Sequence, residues 1–314
     1  MKGKSAAAGG EIGKEVTTVP PRHAIGRGLG ILGAFLLVFI LTALLLAYFG
    51  GGQKGAGLWS DAVGVIEVRG VINGADTIID AIRRFAKSDH IRAVVLRVES
   101  PGGGVAPSQE IYRELTRLQE KKPVIASLGG VAASGGYYIA SACSVIVANP
   151  GTITGSIGVI METVNVQGLL EKLGVKGVVI KAGTYKDLGS PLREMSAEER
   201  EILDSMLNDV HKQFISAVAT GRHMDEAKIR SLADGRVYSG EQALQLGLVD
   251  QLGNFQDAIS LAAEKAGITG EPQIIRAEGK KRVWWQRLLS LWLGEELWGE
   301  GSGMRLLYLG PQLS

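Results

Sequence analysis

A single cysteine, Cys143, stands in 314 residues, so no disulfide forms within one chain and no thiolate cluster holds a metal. Histidine is almost as scarce: His23, His90, His211 and His223 are scattered without metal-ligand spacing. An excess of one charge is missing as well. Thirty-four Lys and Arg face 32 Asp and Glu, a net charge of +2, which weakens a reading as a nucleic-acid binder, a class that normally needs a basic face. No lysine follows the glycine turns in the phosphate-loop pattern, and Gly130 to Gly136 lacks the dinucleotide spacing. No nucleic-acid partner, nucleotide cofactor or metal is therefore expected. What is abundant is apolar residue, 46% against 21% charged, the balance of a folded chain. Glycine is abundant too, 44 residues, without the three-residue period of collagen.

The apolar residues are unevenly spread. No charge occurs between Arg27 and Lys54, and about 20 apolar residues suffice to cross a bilayer. The run is longer than the apolar stretch of a cleavable signal and lacks its small-residue cleavage site. Residues 28–50 are therefore expected to form an uncleaved transmembrane anchor. Lys2, Lys4, Lys14, Arg22 and Arg27 outnumber Glu11 and Glu15 ahead of it, so residues 1–27 are placed in the cytoplasm. The localisation expected is the cytoplasmic membrane, single-pass, with everything after the span outside the cytoplasm. Residues 51–60 read as a glycine-rich tether.

Beyond the tether, β-branched runs at Ala62–Val68, Ala93–Val98, Val124–Leu128, Val145–Ala148 and Val178–Lys181 read as strands covered on both faces. Helical spacing lies between them at Ile111, Leu115 and Leu118, and from Ile202 to Val218. Ser196 with Glu199 forms a capping box ahead of the second helix, and Ser239 with Gln242 suggests another. Alternation of this kind is an α/β domain, assigned to residues 61–270. In the tail, 271–314, residues 280–298 hold four of the five tryptophans beside Lys280, Lys281, Arg282 and Arg287. That pattern fits either an amphipathic helix meeting membrane lipid or a helix packed on protein.

Three glycine-rich segments follow predicted strands: Glu99 to Val105, Gly129 to Tyr138 and Thr154 to Gly158. In the second, Ala132, Ala133, Gly135 and Gly136 surround one hydroxyl, that of Ser134, with an apolar helix predicted from Tyr137 to Cys143. Backbone N–H groups at a helix start could hold an oxyanion, and the Gly102–Gly104 turn offers more bare backbone. A serine ahead of a helix is also an ordinary N-cap, and these features alone favour the cap. A serine nucleophile needs a base. No histidine lies in these turns, and a lysine serves when burial keeps it neutral. Lys186 and Lys181 both follow the Val178–Ile180 run, and spacing does not choose between them.

The stretches SPGGGV (100–105), AASGGYYIA (132–140), TGSIGVIME (154–162), KAGTYKDLGSP (181–191), REMSAEER (193–200) and ADGRVYSGEQALQLGLVDQLG (233–253) resemble, in content, order and spacing, the signal peptide peptidase A family of membrane-bound serine peptidases, in its short single-repeat form. The resemblance covers roughly residues 60–265. It implies a ClpP/crotonase-like fold carrying a Ser/Lys dyad, with Ser134 as nucleophile, Lys186 as general base and Ser156 as the hydroxyl that orients the lysine. It implies backbone oxyanion donors at Gly103 and Gly135, and a substrate-binding strand at Gly102, Gly104 and Val105 that pairs with peptide by β-addition. It further implies remnant signal peptides as substrates and a homo-oligomer in which Ser134 and Lys186 meet across a subunit boundary. A crotonase-like acyl-CoA enzyme would share the fold and the oxyanion turns, and a catalytically dead membrane scaffold would share the anchor. Lys186 and an extracytoplasmic site argue against the first, and intact Ser134 and Lys186 against the second.

Overall fold

The computed structural model describes residues 35–45, 61–277 and, for the backbone alone, 307–309. The chain divides into two units, residues 1–58 and 59–314. In the first, residues 35–45 form a helix, α1, with exposed apolar side chains from Phe35 to Leu45. The Thr42 hydroxyl donates to the Val38 carbonyl at 2.7 Å, so the one polar side chain of α1 is satisfied within the helix. No helix among the described residues is long and apolar enough to cross a membrane. The rest of the expected span 28–50, the basic arm 1–27 and the whole tether 51–60 lie outside them. So do residues 280–298 of the tail.

The second unit runs β1 (Ala62–Arg69), α2 (Asp76–Lys87), β2 (Ile91–Ser100), β3 (Gly102–Gly104), α3 (Val105–Gln119), β4 (Val124–Ala133), α4 (Gly135–Ala140), β5 (Val145–Ala148), β6 (Ile153–Gly155), α5 (Gln167–Lys172), α6 (Ala197–Arg222), α7 (Glu226–Leu232), β7 (Val237–Ser239), α8 (Gly240–Leu246), β8 (Gln251–Leu252), α9 (Phe255–Lys265), β9 (Gln273–Arg276) and β10 (Leu307–Leu309). The main sheet has the order β7-β6-β4-β2-β1-β9, with β5 paired to β4 and β8 to β5. Every pairing in it is parallel except β6 with β7. β9 carries the sheet past residue 270. β10 lies apart from it, antiparallel to β3 in a two-stranded sheet.

Strand alternation explains why the runs read as continuously apolar. Val63, Val65, Ala93, Val95, Ile125 and Val147 face Ala258, Ile259, Ala262 and Ala263 of α9. Ile66, Leu96, Val98, Ala126 and Leu128 face the other way, onto the layer of α2, α3, α4 and the end of α6. Both faces are dry, so polar alternation has no place. Cys143 is buried in the second layer. Burial pushes its thiol up, which keeps it protonated and inert.

The long ladder of β4 is divided between two neighbours. Residues Ile125–Leu128 pair with β5, and Val131–Ala133 pair with β6. Between them the β2–β4 register shifts. At that shift Glu99 Oε1 accepts the amides of Gly130 at 2.8 Å and Val131 at 3.3 Å. A Cβ on Gly129 would lie 1.7 Å from the Glu99 carboxylate, so only glycine lets that clamp close. Thr152 and Thr154 hydroxyls pin the same stretch by donating to the carbonyls of Gly129 and Ala132, each at 2.7 Å.

One predicted strand is absent. Val178–Lys181 has no ladder partner, and Val178 and Ile180 are 82% and 96% exposed. A strand forms only beside another, and within one chain nothing in the sheet reaches this run. It belongs to residues 159–195, an excursion in which α5 buries no residue. Both capping boxes are present, at Ser196 with Glu199 and at Ser239 with Gln242.

Leu96 is fully buried at the centre of the sheet. Leu96→Ala should lower the unfolding free energy by about 2–5 kcal/mol. Denaturant titration should show a lower midpoint with an unchanged slope.

Candidate active site

β4 ends at Ala133 and α4 begins at Gly135, so Ser134 must turn the chain in one residue. It does so at φ 52° and ψ −119°, a left-handed-side conformation that costs a non-glycine residue about 1–3 kcal/mol. Two hydrogen bonds hold it there: its amide donates to the Gly155 carbonyl at 2.8 Å, and its carbonyl accepts from Tyr138 at 2.8 Å. Its side chain does not cap the helix. The Oγ is instead buried without a hydrogen-bond partner, in a residue only 1% exposed. A buried hydroxyl with no partner normally costs stability, and strain with an unspent hydroxyl is what a poised nucleophile requires.

Ser156 lies beside it. Ala133 pairs with Gly155, so the next residues along the two strands are Ser134 and Ser156. Ser156 is also held at positive φ, 51°, and buried, with its amide on the Arg236 carbonyl at 2.9 Å. The other positive-φ residue that is not glycine, among those described, is His223, the ordinary left-handed cap of α6.

Behind Ser134, α4 packs against the end of β2. A Cβ on Gly136 would come within 2.8 Å of the Ser100 carbonyl. Tyr137 anchors the helix by donating its hydroxyl to the Leu248 carbonyl at 2.7 Å. Tyr138 meets Tyr112 edge-to-face and packs at a tilt against Phe214, and burial pushes its phenol up to about 12.

β3 follows one residue after β2. Ile72 donates its amide to the Gly102 carbonyl at 2.8 Å and accepts from the Gly104 amide at 2.7 Å. A side chain at Gly103 would strike the Ile72 backbone at 2.3 Å. Gly102 is held at φ 110°, and the Ser100 hydroxyl accepts its amide at 3.1 Å. The resulting strip of bare backbone is the strand to which the family resemblance implies a substrate-binding role. Val105 is not part of it, since it opens α3 and is 8% exposed.

The two lysines part company. Lys181 donates to the Thr184 carbonyl at 2.7 Å and pairs with Asp187, so it shapes the turn. Lys186 stands at the exposed tip of that turn, its amide on the Gly183 carbonyl at 3.2 Å. Within one chain the fold therefore brings Ser134, Ser156 and Gly135 together and leaves Lys186 without a bond to the Ser134 hydroxyl.

A network missed by the sequence reading fixes the base of the Lys186 turn. Arg193 Nε donates to Asp187 at 2.9 Å, Nη1 donates to Glu199 at 2.8 Å, and Nη2 also bonds Glu199. Glu199 is 3% exposed and accepts the Ser196 amide within the α6 capping box. The residue after Lys186 is thus tied to the start of a 26-residue helix. The capping box was legible, but nothing in it announced that its glutamate also receives Arg193. Arg193 and then Lys181 hold the Asp187 carboxyl well below the usual range. Arg193 and then the Ser196 amide bring Glu199 down to about 2.

Residues 116–269 match the description Peptidase family S49, a stretch that includes Ser134, Ser156 and Lys186. The chain is 48% identical over 204 residues to a protein of Synechocystis provisionally named a protease, covering 65% of this chain and 74% of that one. It is 41% identical over 186 residues to an Enterococcus faecium protein provisionally named signal peptide peptidase SppA, covering 59% of this chain and 54% of that one. It is 39% identical over 195 residues to the chloroplastic serine protease SPPA of Arabidopsis thaliana, covering 62% of this chain and 29% of the relative's length.

The Arg193 network has a pH signature. Glu199 ionises at about 2 in the fold against an ordinary 4.5, so the unfolded chain binds more protons between those values. Its stabilisation is present above the ordinary value and is lost as pH falls through the folded one. Urea midpoints of the wild type should drop from about pH 5 to about pH 2. Arg193→Gln should lower the midpoint at pH 7 and flatten that drop, with faster amide exchange at residues 181–193.

Proposed function

Because the chain belongs to peptidase family S49, we propose that this peptidase is a membrane-anchored serine endopeptidase. It cleaves remnant signal peptides and other extended apolar peptides with a Ser134/Lys186 dyad on a ClpP/crotonase-like fold. The observation that carries this reading is the Ser134 turn: a strained serine between a strand and a helix, its hydroxyl buried and unspent.

In the reaction, neutral Lys186 takes the Ser134 proton as Oγ attacks the scissile carbonyl. Backbone amides of Gly103 and Gly135 receive the oxyanion, a contribution worth about 10²–10³ in rate for one donor. Lys186 returns the proton to the leaving amine, and water then releases the acyl group by the same path in reverse. Ser156, next to Ser134 on the paired strand end, orients the lysine amine. Peptide reaches the site as an added strand along Gly102–Gly104.

A second copy of the chain supplies what one copy lacks. Lys186 is exposed, and it rides on an excursion whose Val164, Leu169, Leu173, Val175, Val178 and Ile180 are exposed too. An apolar surface of that extent suits burial against a neighbour. Lys186 of one copy then completes the Ser134 site of the next, in a dry interface that favours the neutral amine. The anchor at residues 28–50 holds the assembly in the cytoplasmic membrane, with the sites on the extracytoplasmic side where signal peptides are left behind.

Ser134→Ala and Lys186→Ala should each abolish hydrolysis of a synthetic signal peptide, while Lys181→Ala keeps most of it; turnover in either dyad variant would reject the assignment. Co-assembling the two inactive variants should restore part of the activity, because mixed neighbours rebuild intact sites. A dyad contained within one chain would give no recovery. A lysine base works only when deprotonated, so kcat should rise from acid to alkaline pH, and a profile flat down to about pH 5 would exclude it.

A further inference from the structure

Between Val98 and Ser100 of β2 stands one residue, Glu99, whereas between their partners Leu128 and Ala132 of β4 stand three, Gly129, Gly130 and Val131. β4 therefore bulges opposite Glu99, and Ser134 is the third residue past the bulge. A bulge takes backbone groups out of the ladder and re-aims the strand beyond it. Side chains bond the groups of this stretch. Arg97 Nη1 donates to the Leu128 carbonyl at 3.3 Å, and Thr152 Oγ1 donates to the Gly129 carbonyl at 2.7 Å. Glu99 Oε1 accepts the Gly130 and Val131 amides. Arg97 also donates to Ser127 Oγ at 3.0 Å and stands 3.5 Å from the second Glu99 oxygen.

Glu99 and its neighbour hold the other half of the site as well. The Glu99 carbonyl accepts the Gly70 amide at 2.9 Å, which fixes the turn leading to Ile72, and Ile72 grips β3 on both sides of Gly103. Ser100 Oγ accepts the Gly102 amide at 3.1 Å. The Ser100 carbonyl is also the surface against which Gly136 of α4 packs. The two amides assigned above to the oxyanion lie on separate segments, Gly103 on β3 and Gly135 at the start of α4. Residues 99 and 100 are where those segments meet. The Glu99 carbonyl and the Ser100 hydroxyl hold the first, and the Glu99 carboxylate holds the strand that delivers the second.

We propose that Glu99 is the positioning residue of the oxyanion hole. Its carboxylate sets how β4 bulges, and so sets where the Gly135 amide stands relative to that of Gly103. The inference rests on the peptidase reading for its chemistry and on the bonds to Gly130 and Val131 for its geometry. Gly130 is exposed and Val131 half-buried, so without Glu99 their amides turn to water and the chain still folds. What is lost is the registration of the two donors. About 1 Å of misplacement at a reacting centre costs about 10² in rate, and that cost falls on the transition state. Peptide in its ground state lies along β3, which Ile72 holds and the bulge does not, so its binding is spared.

Three variants of the full chain test this on a synthetic signal peptide. Glu99→Gln keeps an oxygen for the two amides and should keep kcat close to wild type. Glu99→Ala removes the acceptor, and Glu99→Asp keeps the charge but falls one methylene short. Both should lower kcat about 100-fold at constant KM. A peptide aldehyde, whose adduct on Ser134 carries the oxyanion, should bind both about 100-fold more weakly and bind Glu99→Gln as it binds wild type. Hydrogen–deuterium exchange at Gly130 and Val131 should quicken in Glu99→Ala and Glu99→Asp alone. If Glu99→Ala does not fold, Glu99→Asp carries the same test. Full kcat in a folded variant whose two amides are released, or a Glu99→Gln as slow as Glu99→Ala, would overturn the positioning role and leave the peptidase standing. A wild type that neither cleaves the peptide nor binds the aldehyde would reject the peptidase reading, and the positioning role with it.

Discussion

The amide of Ser134 bonded to the carbonyl of Gly155 is the contact on which the site depends. It closes the last rung between β4 and β6, and it holds Ser134 at a backbone angle that the residue would not otherwise keep. The rest of the neighbourhood supports that rung. Glu99 clamps the register shift in β4, two threonine hydroxyls pin the strand, and Tyr137 secures the helix that follows. The strain at Ser134 is tolerable because so many bonds over-determine the turn.

The candidate site is divided between a rigid part and an outlying part. Ser134, Ser156 and Gly135 stand at strand ends in a packed sheet, and Gly103 stands on the Ile72 edge. Lys186 stands on a turn that reaches away from that sheet, yet its base is fixed by Arg193 to the start of α6. This is a preorganised arm rather than a floppy one. A rigid arm with exposed apolar flanks can present its lysine to a neighbouring copy at low entropic cost.

Much of the sheet was legible because its strands are dry on both faces. Four of the five apolar runs became strands, and the fifth, Val178–Lys181, did not. Its composition was right, but pairing is a property of neighbours, and a single chain provides none there. The Ser134 turn could be suspected from small residues around a hydroxyl, whereas its backbone angle depends on β6, which lies some 20 residues downstream. Lys186 could be separated from Lys181 by resemblance alone until Asp187 was seen to hold Lys181. The Arg193–Glu199 bond and the Glu99 clamp join residues whose partners no local pattern reveals. β10 on β3 is still less legible, since Leu-Tyr-Leu has nothing in common with three glycines except an edge.

The close approach of Ile72 to Gly103 bears on how such an enzyme can diversify. No side chain fits at position 103 without parting two backbones, so point mutation has no route to new selectivity there. On the proposed reading, the strip that grips peptide is confined to reading main chain, and every substrate meets the same blank surface. Discrimination must be written into the walls around it, where replacements can change shape without dislodging the strand. Lineages that drift in what they digest should therefore vary beside this glycine and never at it.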